Sequence, residues 1–138
     1  MKNYFLKHFR DYNQRLSNTI NKIDLNLIYK AASEIEATIK KKKTIYVCGN
    51  GGSFAIANHY ICDYFKGLGS QTNLKVRIKS LCSDNELISA ISNDISHDDI
   101  FVFQAEKYLE KGDLLILISS SGNSNNIKKV LKYANSMK

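Results

Sequence analysis

Two segments rich in glycine and serine hold the residues whose types and spacing could do chemistry. The first, GNGGS, occupies residues 49–53 (the glycine loop), and the second, SSSGNS, occupies residues 119–124 (the serine loop). Each follows a short apolar run and precedes a segment with helical spacing. Glycine lets the backbone approach an anion, N–H groups at a helix start point toward it, and serine hydroxyls add donors. The pattern predicts an anion site; two ordinary turns that begin helices are the alternative.

The two loops differ from nucleotide-binding motifs. Neither contains the G-x-x-x-x-G-K-[ST] pattern of nucleoside triphosphate sites, and the glycine loop lacks the third glycine of G-x-G-x-x-G. The predicted ligand is therefore a small phosphate ester, and no nucleotide cofactor is expected.

His59 and Asp63 lie four residues apart on the helix predicted after the glycine loop. This spacing places both side chains on one helix face. Such a pair suits a metal clamp or an acid/base pair, and a surface ion pair or a core histidine is the alternative. About two helical turns beyond the predicted anion site, the pair is within reach of a sugar chain anchored there.

The order of predicted elements indicates how these residues are positioned. Two helices come first, and strands then alternate with helices, which predicts a doubly wound α/β fold with a parallel sheet. In such sheets ligands bind at the carboxyl ends of the strands, where both loops begin. The predicted strands are residues 44–48, 76–82 and 113–119, and the predicted helices are residues 2–18, 24–39 with Asp24 as N-cap, 53–65, 84–91, 98–111 and 125 onward.

The 138 residues predict one domain, with a helical segment at 1–43 and an α/β core at 44–138. No apolar run is long enough for a membrane span, and the charged N-terminus does not resemble a secretory signal. The three cysteines form no C-x-x-C pair, which is typical of a reducing compartment. We therefore expect a cytoplasmic protein that has no membrane partner.

The net charge of +7 raises the possibility of a nucleic-acid partner. The lysines are scattered along helix-like segments, however, and no recognition motif accompanies them. Solvated helix faces are the better interpretation, and a positive field would also help to collect an anionic substrate.

Four motifs, in their order and spacing across residues 44–124, resemble the sugar isomerase (SIS) domain, and within it the phosphoheptose isomerase family. The motifs are the glycine loop, His59 with an acid at position 63, Asn93-Asp94, and the serine loop. The resemblance implies a single SIS domain: a flavodoxin-like, doubly wound sheet of five parallel strands preceded by two helices. It also implies a homotetramer with sites between subunits.

The activity implied is aldose–ketose isomerisation of sedoheptulose 7-phosphate to D-glycero-D-manno-heptose 7-phosphate, which serves lipopolysaccharide or capsule synthesis. The resemblance assigns Asp63 as the proton-transfer base, with His59 beside it, and both residues as Zn²⁺ ligands. It also assigns a phosphate site and a sugar site. The phosphate ligands are Ser119, Ser120, Ser121 and Ser124, and the residues that line the sugar are Asn50, Gly51, Gly52, Ser53, Asn93 and Asp94.

The sequence departs from the family pattern in two places. Asp63 stands where the family usually has glutamate, and a base displaced by about 1 Å costs on the order of a hundredfold in rate. The family also draws a glutamine and a histidine from a final helix that has no counterpart in these 138 residues. The C-terminal part of the fold is therefore expected to be missing or supplied by another subunit.

These departures keep a second function open. In this alternative the chain is a non-catalytic SIS protein that binds a sugar phosphate or a protein partner, such as the bacterial replication initiator. The missing histidine and Asp63 favour the alternative, whereas His59, Asn93-Asp94 and the complete serine loop favour the enzyme.

Overall fold

The computed structural model describes residues 1–137 as seven α-helices and three strands. A π-helical segment connects α3 to α4, and a 3-10 turn precedes α6. In chain order the elements are α1 Lys2–Ile20, α2 Leu25–Lys40, β1 Thr44–Gly49, α3 Gly52–Cys62, the π-helical segment Asp63–Leu68, α4 Gly69–Gln71, β2 Arg77–Ser80, α5 Asn85–Asp94, the 3-10 turn His97–Asp99, α6 Val102–Tyr108, β3 Leu114–Ile118 and α7 Asn125–Ser136.

The three strands form one parallel sheet in the order β2-β1-β3, with helices on both sides. The central strand β1, TIYVCG, is buried along nearly its whole length. Its β-branched and apolar residues suit a strand covered on both faces. The predicted doubly wound α/β class and its three parallel strands are therefore confirmed.

The core lies where the helices pack on this sheet. Its fully buried side chains come from strands, connecting loops and helices. Polar groups secure the connections: the Asp84 carboxylate accepts from the Leu87 N–H and caps α5, and the buried Gln104 amide donates to the Leu81 and Ile100 carbonyls. The largest of the fully buried side chains are Phe101, Ile45, Leu81, Val47, Val130, Asn126, Cys48 and Cys82.

The chain forms two compact units, residues 1–33 and residues 34–138. The first is helical, and its apolar side chains are exposed; Tyr4, Phe5 and Tyr29 are 77%, 65% and 76% accessible. At the start of α2, the Asp24 carboxylate accepts from the Asn26 N–H, which confirms the predicted N-cap. The second unit holds the sheet. A single domain over residues 1–138, divided at residue 43, stays a prediction.

Two helices differ most from their predicted bounds, while α1 and α5 run two and three residues beyond their predicted ends. The helix after the glycine loop does not end at Gly67 and Gly69 but continues through the π-helical segment to Gln71. The glycines with positive φ are Gly51, Gly112 and Gly122, so Gly67 and Gly69 do not act as left-handed helix caps.

The predicted helix at residues 98–111 is instead a 3-10 turn followed by the shorter α6. The Ser96 hydroxyl accepts from the Asp98 N–H and donates to the Asp99 carboxylate, so it caps a separate turn. Helix α6 ends early because Leu109 is extended and the Asp113 carboxylate accepts a hydrogen bond from the Glu110 N–H.

Within residues 1–137, no helix combines the length and apolar character needed to cross a bilayer.

Candidate functional site

The glycine loop and the serine loop begin side by side at the carboxyl edge of the sheet. Strands β1 and β3 pair in parallel, with Gly49 opposite Ile118. The next residue of each strand, Asn50 or Ser119, therefore enters its loop at the same level. The structure brings together the two segments for which the sequence predicted a common anion site.

Gly49 must be glycine because the backbone packs closely around it. A Cβ atom built on Gly49 would lie 2.7 Å from the Ile118 carbonyl oxygen and 2.7 Å from the Ser53 Cβ. No ordinary contact is that short, so a side chain here would force β3 and the start of α3 apart. Close packing therefore fixes the base of the glycine loop.

The tips of both loops face open space. Gly51 begins α3 with a φ of 53°, and Gly122 has a φ of 62°, a region that glycine adopts without strain. Apart from the adjacent residues and the local helix backbone, no described residue lies within 4 Å of a Cβ built on Gly51, Gly52 or Gly122. These exposed glycines therefore leave room for a ligand to approach the backbone of both tips.

The hydroxyl groups of the serine loop support its backbone and keep their own hydrogens. The Ser119 Oγ accepts from the Gly122 N–H, and the Ser121 Oγ accepts from the Asn123 N–H, both at 3.1 Å. In both contacts the hydroxyl is the acceptor, so its hydrogen can still be donated to an anion. Ser120 and Ser121 are exposed.

Ser124 is the N-cap of α7 and is half-buried. Within residues 1–137, its hydroxyl takes no capping hydrogen bond from the helix. It is therefore another polar group at the start of a helix whose dipole favours negative charge.

A pair of side-chain amides connects the glycine loop to α7. The Asn50 Nδ2 donates to the Asn126 Oδ1 at 2.8 Å, and the Asn126 Nδ2 donates to the Asn50 Oδ1 at 2.9 Å. Asn126 is only 2% exposed. Sequence analysis did not identify Asn126; its signal was a polar residue at a position of α7 that faces the core.

His59 and Asp63 share one face of the helix that leaves the glycine loop, as their spacing predicted. The His59 Nε2 lies 3.4 Å from the Asp63 Oδ1, and the side chains are 70% and 62% exposed. Asp63 is also the first residue of the π-helical segment, a type of irregularity that is frequent at functional sites. Both groups are open to solvent and to a ligand.

Asn93 and Asp94 lie at the end of α5 and are exposed. Their side chains contact each other, with the Asn93 Nδ2 donating to the Asp94 Oδ1 at 2.7 Å. Three residues later, the His97 Nε2 lies 3.5 Å from the Asn126 Nδ2. This end of α5 is thus linked through His97 to the amide pair.

Residues 1–137 of one copy do not bring together a complete zinc site. Among residues 1–137, no three His, Cys, Asp or Glu side chains come close enough to hold a metal ion. His59 and Asp63 supply two ligands, whereas zinc sites use roughly four, three of them from protein in catalytic sites. Any further ligands must come from another copy of the chain or from residues beyond these.

Two of the three cysteines belong to the core. Burial raises the pKa of the Cys48 thiol, and the nearby Cys82 raises it further. Burial also raises the pKa of the Cys82 thiol, which donates to the Gly49 carbonyl. Neither thiol is therefore an activated nucleophile.

Comparison with known proteins identifies the class. The family model described as the SIS domain matches residues 8–138. The phosphoheptose isomerase of Aliarcobacter butzleri is 35% identical over 134 residues, which are 97% of this chain and 70% of that protein. The phosphoheptose isomerase of Campylobacter concisus is 32% identical, over 99% of this chain and 69% of that protein.

Solved structures agree. Phosphoheptose isomerase GmhA from Neisseria gonorrhoeae superposes with a TM-score of 0.84 at 29% identity, over 99% of this chain and 70% of that one. A phosphoheptose isomerase from Francisella tularensis, at 24% identity, shares the fold with a TM-score of 0.87. The chain belongs to the SIS domain family, among the phosphoheptose isomerases. It spans about 70% of the length of these two structures.

Proposed function

We propose that this isomerase interconverts sedoheptulose 7-phosphate and D-glycero-D-manno-heptose 7-phosphate. The observation that carries the proposal is the adjacency of an open glycine loop and a serine loop at one sheet edge, with His59 and Asp63 on the helix that leaves the first. The relatives, which are phosphoheptose isomerases, agree with this chemistry.

The serine loop is proposed to hold the phosphate. Hydroxyls of Ser119, Ser120, Ser121 and Ser124 lie at or just before the N-terminus of α7. Hydrogen bonds from hydroxyls to a charged phosphate are stronger than those between neutral groups. Because no lysine of a nucleotide motif is present in the loop, the site suits a monoester at the end of a sugar chain.

The glycine loop is proposed to line the sugar. Its exposed backbone at Gly51 and Gly52 permits close approach of hydroxyl groups, and Ser53 is half-buried beside it. Asn50 borders the same edge of the sheet, and Asn93 and Asp94 offer further polar groups at the end of α5. Such groups orient a polyhydroxy chain through hydrogen bonds.

Asp63 is proposed as the base. In the ketose-to-aldose direction, its carboxylate takes the proton from C1, and the electron pair of the C–H bond forms an enediolate. The proton of the C1 hydroxyl passes to the C2 oxygen, Asp63 returns a proton to C2, and C1 becomes the aldehyde carbon while C2 carries a hydroxyl group. His59, 3.4 Å from the Asp63 carboxylate, orients that group and exchanges protons with it.

We extend the proposal to zinc and to the assembly. A Zn²⁺ bound at His59 and Asp63, with its other ligands from outside residues 1–137, would polarise the substrate oxygens. A homotetramer would cover the apolar side chains exposed on residues 1–33, which in water favour burial against another surface. A cytoplasmic location and a role in lipopolysaccharide or capsule synthesis complete the proposal.

The test is to incubate the protein with sedoheptulose 7-phosphate, with and without added Zn²⁺, and to follow aldose formation by NMR. Turnover is expected, and unphosphorylated sedoheptulose, as the matched control, should react far more slowly because it lacks the anchor. Light scattering on the same sample measures the number of copies.

Binding of sedoheptulose 7-phosphate without turnover, under both metal conditions, would contradict the enzymatic proposal. That result would support the alternative of a non-catalytic SIS protein. The alternative is tested because, within residues 1–137, no third metal ligand lies close to His59 and Asp63.

A further inference from the structure

The amide pair of Asn50 and Asn126 joins two segments that are 76 residues apart in sequence. Asn50 belongs to the loop after β1, and Asn126 lies in the first turn of α7, directly after the serine loop. Each amide donates one hydrogen bond to the other and accepts one in return. The two contacts form a closed ring that fixes both the distance and the orientation of the partners.

The environment of Asn126 holds its amide in one orientation. Its Oδ1 also accepts from the Ile127 N–H at 2.9 Å, and its Nδ2 lies 3.5 Å from the His97 Nε2. Asn126 therefore has partners on both ends of its amide while being 2% exposed. A buried polar group with all its partners in place is rigid, and losing one partner is costly.

The Asn50–Asn126 pair links the starts of α3 and α7, the two helices that follow the glycine loop and the serine loop. The Asn50 carbonyl accepts from the N–H groups of Ser53 and Phe54, so the position of Asn50 determines how α3 begins. On the other side, Asn126 sits two residues after Ser124, the N-cap of α7. A shift of either asparagine would change the spacing between the glycine loop and the serine loop.

We propose that Asn126 is a positioning residue: through its paired amide it holds Asn50 and keeps the glycine loop at a fixed distance from the serine loop. The catalytic part of this inference rests on the proposed function, in which the glycine loop lines the sugar and the serine loop holds the phosphate of the same substrate. The bound substrate must span that distance, so a loose pair lowers the population of the binding-competent arrangement and raises the apparent dissociation constant by the same factor.

The first measurement uses no substrate. Amide hydrogen exchange is compared between the wild type, Asn126→Leu, Asn126→Asp and the control Asn135→Asp, which changes an exposed amide on the same helix. In Asn126→Leu, exchange at Ser53, Phe54, Gly122 and Asn123 should accelerate on the order of tenfold, with the amides of β1 unchanged. Asn126→Asp keeps the acceptor but loses the donor, and should show a smaller acceleration at the same sites.

Equal exchange in all four proteins would overturn the inference. So would an equal acceleration of the loops and of β1, because it would mean that Asn126 supports overall stability and has no local role. If Asn126→Leu does not fold, Asn126→Asp decides the question by the same comparison.

The second measurement is steady-state kinetics with sedoheptulose 7-phosphate. The KM of Asn126→Asp should rise about tenfold with kcat changed by less than about threefold, while Asn135→Asp behaves as wild type. A fall in kcat at unchanged KM would contradict a positioning role. If the wild type shows no turnover, the proposed function fails, and hydrogen exchange still decides whether Asn126 holds the loops.

Discussion

The glycine loop and the serine loop leave neighbouring strands at the same sheet edge, but different forces hold them. The glycine loop is fixed at its base by the close packing of Gly49 against Ile118 and Ser53. The serine loop is held by its own hydroxyls, which accept backbone N–H groups of the loop. Close packing holds the base of the glycine loop, and side-chain hydrogen bonds to the backbone hold the serine loop.

This difference indicates a division of labour. The glycine loop leads directly into the helix that carries His59 and Asp63, so rigid packing at its base aligns groups that move protons. The serine loop presents hydroxyl hydrogens at the start of α7 and suits a fixed anion. Changes near α3 should therefore affect kcat, and changes in the serine loop should affect binding.

Replacing the base has the largest expected effect. Asp63→Asn should lower kcat about 10²–10⁴-fold, because proton abstraction is lost while the shape of the side chain is kept. Steady-state kinetics measures the effect, and Asp11→Asn on α1 is the matched control. Melting temperature should not change, since the Asp63 side chain is 62% exposed. A variant with wild-type kcat would remove Asp63 from the mechanism.

Filling the base of the glycine loop should destabilise the fold. Gly49→Ala places a methyl group 2.7 Å from the Ile118 carbonyl oxygen, and overpacking of this kind costs about 1–3 kcal/mol in the free energy of unfolding. Urea denaturation measures the change. Gly52→Ala is the control, because beyond the adjacent residues and the local helix backbone no described residue lies within 4 Å of the added Cβ. Equal stabilities of the two variants would show that packing does not distinguish this position.

Removing a hydroxyl from the serine loop should weaken anion binding. Ser124→Ala should raise the Kd for sedoheptulose 7-phosphate on the order of tenfold, through loss of a hydrogen bond to a charged group. Calorimetric titration measures the affinity, and Ser136→Ala at the other end of α7 is the control. Stability should change little, since within residues 1–137 the Ser124 hydroxyl makes no capping bond. A loss of kcat with unchanged affinity would contradict the division of labour.

The smallest expected effect is a pH-dependent change in stability at the ion pair between Lys129 on α7 and Asp99. The hydrogen bond that the Ser96 hydroxyl donates to the Asp99 carboxylate lowers the pKa of that carboxyl below its ordinary 3.8. Lys129, whose Nζ lies 3.0 Å from the Asp99 Oδ1, lowers the same pKa further. The folded state then binds fewer protons than the unfolded state, so this stabilisation is present above the ordinary pKa and is lost as pH falls through the folded-state value.

Lys129→Met should therefore melt slightly below wild type at pH 7, and the difference should shrink below about pH 4 as Asp99 becomes protonated. Thermal unfolding across this range measures it, with Lys128→Met as the control on the same helix. A difference that stays constant with pH would mean that the lysine acts through packing alone.

The sequence predicted the parts of the site that depend on local spacing. Glycine and serine clusters at strand ends, and a four-residue interval between His59 and Asp63, follow directly from helix and sheet periodicity. The parallel sheet also followed, since apolar β-branched runs alternated with helical segments. Assignments of catalytic and substrate-binding roles remain predictions.

Features that depend on contacts between residues far apart in sequence could not be predicted. The Asn50–Asn126 pair connects segments whose approach is known only once β1 and β3 are aligned. The π-helical segment that begins at Asp63 was missed because Gly67 and Gly69 resemble a helix end, although neither takes the left-handed conformation. Local propensity does not determine which glycine ends a helix.

The most direct test of the account is to run the reaction with sedoheptulose 7-phosphate in D₂O. If the solvent-exposed Asp63 carboxylate transfers the proton through an enediolate, deuterium should appear at C2 of the aldose product. Asp63→Asn should lose this incorporation together with turnover. Aldose formed without deuterium, or incorporation at the wild-type rate in Asp63→Asn, would contradict the assignment of proton transfer to the helix that leaves the glycine loop.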